Sequence, residues 1–347
     1  FFKKEIFNLN SSKIKNLISS KLNLKIKLNN KKSEPELKEK KSNFVQTIDF
    51  IGIHYSEHSL TIAHIKRTGN KTIIIDNVKI KIKTDLIGDF KVENLEEVKR
   101  IIEDVIEVFG LQDPPTILLL GSSYFTAKTF KDSELVVFSK KDPTLLKKSP
   151  FLPLNTSIEY QRVSGDKLSS YHIVVYAEKI AIDSWLNVLM LLNNPVVALT
   201  CGPINLVDKV SQMSNQIFSY LCDIEDSSTT IYIQKKNCGL TSIKLPYGTS
   251  LYKSSDKKIQ NQYFYRLRDS INKIMEKNTT FEKENIYITG IGLDNLTNGD
   301  IRPIEGFERL SNSSMNYELH KENSSKENFL NKSIFESFSI LVDEAIS

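Results

Sequence analysis

The chain has 347 residues, 40% hydrophobic and 26% charged, enough for one large or two medium domains around a substantial core. Its net charge of +5 is uneven: residues 1–45 carry twelve lysines against four glutamates, so the body that follows is mildly acidic. Three cysteines without a CxxC pair exclude a disulfide framework or a cysteine-rich metal site and suit a reducing cytoplasm, and no run reaches the roughly 18 to 20 apolar residues of a membrane span.

The start at Phe1-Phe2 lacks the central apolar region of a signal peptide. Ile14, Leu17, Ile18 and Leu22 share one helical face flanked by Lys13, Lys15 and Lys21. Such a segment suits a marginal helix in a disordered extension, with an anionic membrane surface as the alternative. From Asn29 to Ser42 charges crowd around Pro35 and apolar residues nearly vanish, which predicts a linker. The abundance of Lys, Asn and Ile together is a compositional drift, so lysine number gives no ground for a nucleic-acid partner.

The first ordered stretch is Ile51 to Ile65, an apolar strand, a polar elbow from Tyr55 to Ser59, and an alternating strand. Gly69-Asn70 turns the chain into Thr72 to Ile75, and Val78 to Lys83 alternates as one more strand. Leu95, Val98, Ile101, Ile102, Val105 and Phe109 predict an amphipathic helix that stops at Gly110. Thr116 to Leu120 is a continuous apolar run suited to a buried strand. Further on, Tyr171 to Ala177 predicts a strand and Ala181 to Asn193 a helix with Trp185, Leu186 and Leu189 inward. Pro195 to Thr200 adds a strand and Asn205 to Ile217 a helix.

A second meander runs from Phe218 to Ser250. Tyr220 to Asp223 leads into the elbow Glu225-Asp226-Ser227-Ser228, followed by a strand alternating at Ile231 and Ile233, a turn at Asn237-Cys238-Gly239, and Leu240 to Leu245. A short loop of this kind leaves backbone N–H groups aimed outward, the layout of a phosphate-binding turn, although an ordinary hairpin has it too. Phe264, Leu267, Ile271, Ile274 and Met275 then take helical spacing. Asn285 to Thr289 predicts a strand ending in Gly290-Ile291-Gly292, and Ser333 to Ile346 a final helix.

Aligning His54 with Asp223 places Thr61 on Thr230 and Ile62 on Ile231, so the two meanders read as a duplicated domain. From about Ile48 to the C-terminus the order of elements resembles the actin-like ATPase superfamily, and within it the PilM-like proteins of type IV pilus assembly. The resemblance implies an α/β actin-like ATPase fold of two duplicated lobes around a nucleotide-type cleft. Residues 1–45 form a basic extension, 46–217 the first lobe with a small insertion at about 140–180 (its candidate core Thr144 to Arg162), and 218–347 the second lobe.

It further implies a site at the elbows, where Asp223, Ser227, Ser228, Thr229, Ser56 and Ser59 face phosphates and Gly290 and Gly292 receive adenosine, with ATP and Mg²⁺ as possible ligands. The motifs are degraded. Where the family places a carboxylate that binds the waters of Mg²⁺ stands His54, a poor partner for a hard cation. Ser56 and Glu225 replace glycines that let phosphate approach the backbone. Asp49 and Glu57 lie close in sequence, but a strand puts neighbouring side chains on opposite faces, so neither is expected to compensate. No catalytic or metal-ligating residue is therefore assigned. His54, His58 and His64 straddle a turn and a strand and are expected to be scattered rather than a metal cluster. By resemblance the function is a pseudo-ATPase scaffold of a pilus or competence machine, peripheral at the inner face of the cytoplasmic membrane. Its partner is the short cytoplasmic tail of a PilN-like bitopic protein, with residues 1–42 as a possible membrane contact and homo-oligomers possible. An active ATPase and an FtsA-like membrane tether of a polymer are the alternatives.

Overall fold

The computed structural model describes residues 47–57, 59–88, 91–134, 143–164, 170–201, 204–213, 217–236, 238–251, 257–277, 286–290, 307–309, 317–319 and 331–346. The basic extension and its helical face, His58 and Gly292 lie outside them. In chain order the elements are β1 (Thr47–Ser56), β2 (Ser59–Thr68), β3 (Lys71–Lys81), α1 (Leu95–Val108), β4 (Thr116–Leu120), β5 (Phe125–Lys131), α2 (Pro143–Lys147), β6 (Thr156–Ser164), β7 (Ser170–Glu178), α3 (Lys179–Leu191), β8 (Val196–Cys201) and α4 (Ile204–Met213). Then follow β9 (Phe218–Ile224), β10 (Thr229–Lys235), β11 (Gly239–Leu245), α5 (Lys257–Lys277), β12 (Ile286–Thr289), β13 (Phe307–Arg309), β14 (Tyr317–Leu319) and α6 (Asn331–Ile346).

Two sheets repeat one scheme. In the first, of order β14-β3-β2-β1-β4-β8, an antiparallel meander carries β4 and β8 parallel to β1 on its far side. In the second, of order β11-β10-β9-β12-β13, the meander β9-β10-β11 carries β12 and β13 parallel to β9. The registers match residue for residue. His54 pairs with Thr61, which pairs with Lys79; Asp223 pairs with Thr230, which pairs with Lys244. Directly paired residues share a face of the sheet, so these two rows are equivalent in the two lobes.

Burial on both faces explains why β1 is mostly apolar from Phe50 to Tyr55. Ile51, Ile53 and Tyr55 pack with Val98 and Ile102 of α1 and with Trp185 of α3, whose ring lies 5.2 Å from that of Tyr55. Phe50 turns to the other face and meets Phe338, Leu341 and Val342 of α6. Helix α1 starts where Asn94 Oδ1 accepts the Glu97 N–H at 3.1 Å, with Glu96 and Glu97 favourably placed at the positive end of the helix dipole. In the second lobe, Tyr263, Leu267 and Ile271 of α5, four residues apart, cover Tyr220, Cys222, Ile231 and Ile288.

Three sequence expectations are corrected. Thr72 to Ile75 and Val78 to Lys83 are not two strands: β3 runs from Lys71 to Lys81, with a register irregularity at His64/Ile65 of β2 absorbing the break in pattern. The insertion is larger than 140–180, because its sheet, of order β5-β7-β6, begins at Phe125 and ends at Glu178. The second lobe does not extend to the chain end. β14 pairs with β3, and α6 buries Phe338, Leu341 and Val342 against the first sheet, so the chain returns to the lobe where it began. The apolar face of α6 needed a cover, and the α6-side face of the first sheet supplies it.

Candidate functional site

The site lies where the elbow after β1 meets the elbow after β9. At the first elbow Ser56 is buried and Glu57 follows with φ 45°, in the left-handed region that a non-glycine residue rarely adopts. At the second, the Glu225 N–H donates to Ser228 O at 2.9 Å and closes a tight turn. The two elbows are in direct contact. Ser56 Oγ donates to Glu225 Oε1, and Ser228 Oγ donates to Glu225 Oε2 at 3.1 Å, so both carboxyl oxygens of Glu225 are used. The N–H groups of Asp226 and Ser227, with the Ser227 hydroxyl, all donate to Glu57. Asp223 Oδ2 accepts from Ser122 Oγ, which in turn accepts from Tyr232 OH at 3.0 Å.

Electrostatics follow from this crowding. Burial pushes the Asp223 carboxyl up to about 6; the Ser122 hydrogen bond pulls against it and the Glu57 charge adds to it. Burial, then the charges of Asp223 and Glu57, push Glu225 up to about 8 against the bonds from Ser56 and Ser228. Glu225 therefore holds its proton at neutral pH. His54, in the row equivalent to Asp223, is pushed down to about 3 by burial and by Lys79, and stays uncharged. Its Nδ1 has no hydrogen-bond partner among the described residues.

The residues singled out in the sequence divide as follows. Ser56, Ser228 and Asp223 converge at the elbow contact, and Ser227 lies at its exposed rim. Ser59 pairs with Ser56 at the start of β2, its buried hydroxyl without a partner among the described residues. Thr229 faces away: its hydroxyl donates to Tyr247 O at 2.9 Å and meets Tyr263 OH at 2.9 Å, inside the second lobe. Gly290 has φ 113°, and a Cβ there would run into the backbone of Ile224 and Asp223 Oδ1, so packing within its own lobe already requires a glycine. Asp49 is no replacement carboxylate. It bonds His64 Nε2 at 2.9 Å at the start of β1, seven residues from Ser56 and thus roughly 23 Å from the elbow.

Ser122 and Glu57 complete the contact without belonging to a motif. Ser122 follows the buried strand β4, and the carboxyl ends of parallel strands are where α/β sheets place ligand groups, a rule that marks it. Glu57 is marked only by its place at the tip of a two-strand elbow.

A magnesium–nucleotide does not fit these residues as they stand. The elbow N–H groups that would cradle a phosphate already bond Glu57. Glu225 occupies the space between the turns, so tightly that a Cβ on Gly121 would collide with Ser56 and Glu225. Among the described residues no group of three or more His, Cys, Asp or Glu side chains is placed to hold a metal ion.

The sequence matches no protein-family model and no curated protein. Among solved structures, the chain is similar to one in a PilM–PilN type IV pilus biogenesis complex, at 12% identity and a TM-score of 0.57 over 86% of this chain and 98% of that one. A Bacteroides thetaiotaomicron protein of unknown function with an actin-like ATPase fold matches at 12% identity and a TM-score of 0.45, covering 85% of this chain and 95% of that one. The cytoplasmic domain of EpsL, an inner-membrane component of the Vibrio cholerae type II secretion system, matches at 10% identity and 0.39, covering 86% and 94%. With the duplicated sheets and the first match, the chain has the actin-like ATPase fold.

Proposed function

We propose, from an actin-like ATPase fold similar to PilM, that this protein is an assembly scaffold of a type IV pilus or competence machine at the cytoplasmic face of the membrane. The observation that carries this reading is the combination of that fold with elbows filled by Glu57 and Glu225. Hydrolysis in such a fold relies on positioning phosphate and metal, and the loss of one positioned electrostatic group commonly costs on the order of 3 kcal/mol of barrier. Efficient ATP turnover is therefore not expected, and the protein works by holding partners.

The partner proposed is the short cytoplasmic tail of a PilN-like bitopic protein, since the similar structure is a complex of PilM with PilN. A surface with the right chemistry stands on the inserted sheet. Leu152 is 76% and Leu154 97% exposed, and the Ile180 N–H bonds Asn155 Oδ1 at 2.8 Å, which draws the exposed Ile180 to their side. Three exposed apolar side chains beside β6, which is an edge strand of its sheet among the described residues, suit an apolar peptide segment.

The test is a titration with a fluorescent peptide of that tail from the source cells. Binding that weakens at least tenfold in Leu154→Asp, with no Mg²⁺-dependent ATP hydrolysis, supports the reading. Hydrolysis that disappears in Asp223→Ala, with no peptide binding, would instead make the protein an enzyme.

A further inference from the structure

The misfit between the cleft and a nucleotide has a specific cause. We propose that Glu57 is a built-in substitute for a phosphate: its carboxylate fills the anion-binding elbow of the second lobe and latches the two lobes together without any ligand. Two successive backbone N–H groups, of Asp226 and Ser227, converge on this one carboxylate, joined by the Ser227 hydroxyl. Adjacent N–H groups aimed at one point are how a protein turn holds a phosphate oxygen. The turn is also braced from behind to keep that aim. Thr249 N–H donates to Glu225 O at 3.0 Å, Ser250 N–H to Asp226 O at 2.8 Å, and Thr249 Oγ1 to Asp226 Oδ1 at 2.9 Å.

The first elbow is shaped for the same contact. Glu57 takes a left-handed backbone conformation that glycine would adopt without strain, and what glutamate adds there is the carboxylate. A second observation independently joins the lobes. The inserted sheet of the first lobe leans on β11 of the second, with Ala127 N–H donating to Ser242 Oγ at 2.8 Å and Thr129 Oγ1 to Leu240 O at 2.8 Å. In an actin-like fold the cleft is the joint between the lobes, and here it is tied at its mouth by Glu57 and on its flank by β5. The protein thus presents one closed shape to its partners, set by its own side chain.

The inference rests on the fold and the elbow contacts, not on a pilus partner, so peptide binding has no bearing on it. The test compares amide exchange and pyrophosphate binding in the full chain and in Glu57→Ala, using inorganic pyrophosphate in metal-free buffer. In the variant, exchange at Asp226 and Ser227 should quicken at least tenfold, while Leu221 and Cys222 in the strand behind stay protected. The emptied elbow should then take up pyrophosphate, and its binding should restore protection at 226 and 227; the unaltered chain should bind at least tenfold more weakly. Should Glu57→Ala not fold, Glu57→Gln keeps the shape without the charge and should still quicken exchange at both amides. Unchanged exchange at 226 and 227 in the folded variant, or equal pyrophosphate affinity with and without Glu57, overturns the proposal.

Discussion

Replacing Glu225 by glutamine should stabilise the protein at neutral pH and flatten its stability profile. The carboxyl of Glu225 lies at about 8 in the folded chain against an ordinary 4.5. An acid raised on folding contributes its full stability below the unfolded value and loses it as pH rises through the folded one. From pH 4.5 to 7 the unfolded chain gains ionisation free energy that the folded chain forgoes, at about 1.4 kcal/mol per pH unit. Wild-type stability at pH 7 therefore lies on the order of 3 kcal/mol below its acid limit through this one group. Glutamine does not titrate and escapes that decline. The hydroxyl oxygen of the protonated carboxyl can still accept a serine hydrogen bond, whereas the amide nitrogen of glutamine only donates, so one of the Ser56 and Ser228 bonds must rearrange, at about 1 kcal/mol.

The variant should thus be more stable than wild type by about 2 kcal/mol at pH 7, with the two curves crossing roughly at pH 5. Urea unfolding followed by circular dichroism at pH 5, 6, 7 and 8 measures this. Asp223 is raised only to about 6 and is largely ionised by pH 7, so the window from pH 7 to 8 reports mainly on Glu225. Equal slopes in that window, or a variant less stable at pH 8, would refute a buried, protonated Glu225.

Two further outcomes are expected. Trp185→Ala removes a ring that is 1% exposed and packed on Tyr55, and should cost about 3 to 5 kcal/mol in urea unfolding, visible as a lower midpoint with the same far-ultraviolet spectrum. Deleting 1–42 should leave the body folded while reducing sedimentation with anionic vesicles at low salt, since a well-placed lysine adds about 1 kcal/mol of surface affinity; full-length protein that ignores such vesicles ends that idea.

Much of the fold is written in local pattern. The match of His54 and Thr61 to Asp223 and Thr230 emerges as paired registers, because a one-residue slip in either meander would turn its apolar set outward. The helix from Leu95 is legible from its spacing and ends one residue before Phe109, the cap residue. What local pattern withholds is the choice of cover. Phe338, Leu341 and Val342 announce an apolar helix face, but nothing near them in sequence says that it closes on Phe50 and Ile117 rather than on its own half. Three-residue β14 is too short for any periodicity to mark. The elbow contact is hidden for the same reason, since Glu57 and Asp226 stand 169 residues apart and neither belongs to a hydrophobic period.

The departures at the two elbows are physically linked. With a carboxylate at position 54, the cleft would bring a fourth acid near Asp223, Glu225 and Glu57, where neighbouring charge already adds to the proton affinity of Asp223 and Glu225. His54, held neutral by burial, adds no charge to that cluster. Glu57 stays in place because N–H and O–H donors take up both of its carboxyl oxygens. Glu225 lies deeper, among acids, and is accommodated by keeping its proton. A neutral His54, a protonated Glu225 and a Glu57 held on backbone donors form one consistent arrangement. Removing Glu57 alone frees the second elbow's N–H groups for a bare phosphate. Ser56 and Glu225 still fill the space between the turns, and His54 still stands where a hard cation needs a carboxylate. Affinity for a magnesium–nucleotide should therefore reappear only when His54, Ser56, Glu57 and Glu225 are changed together.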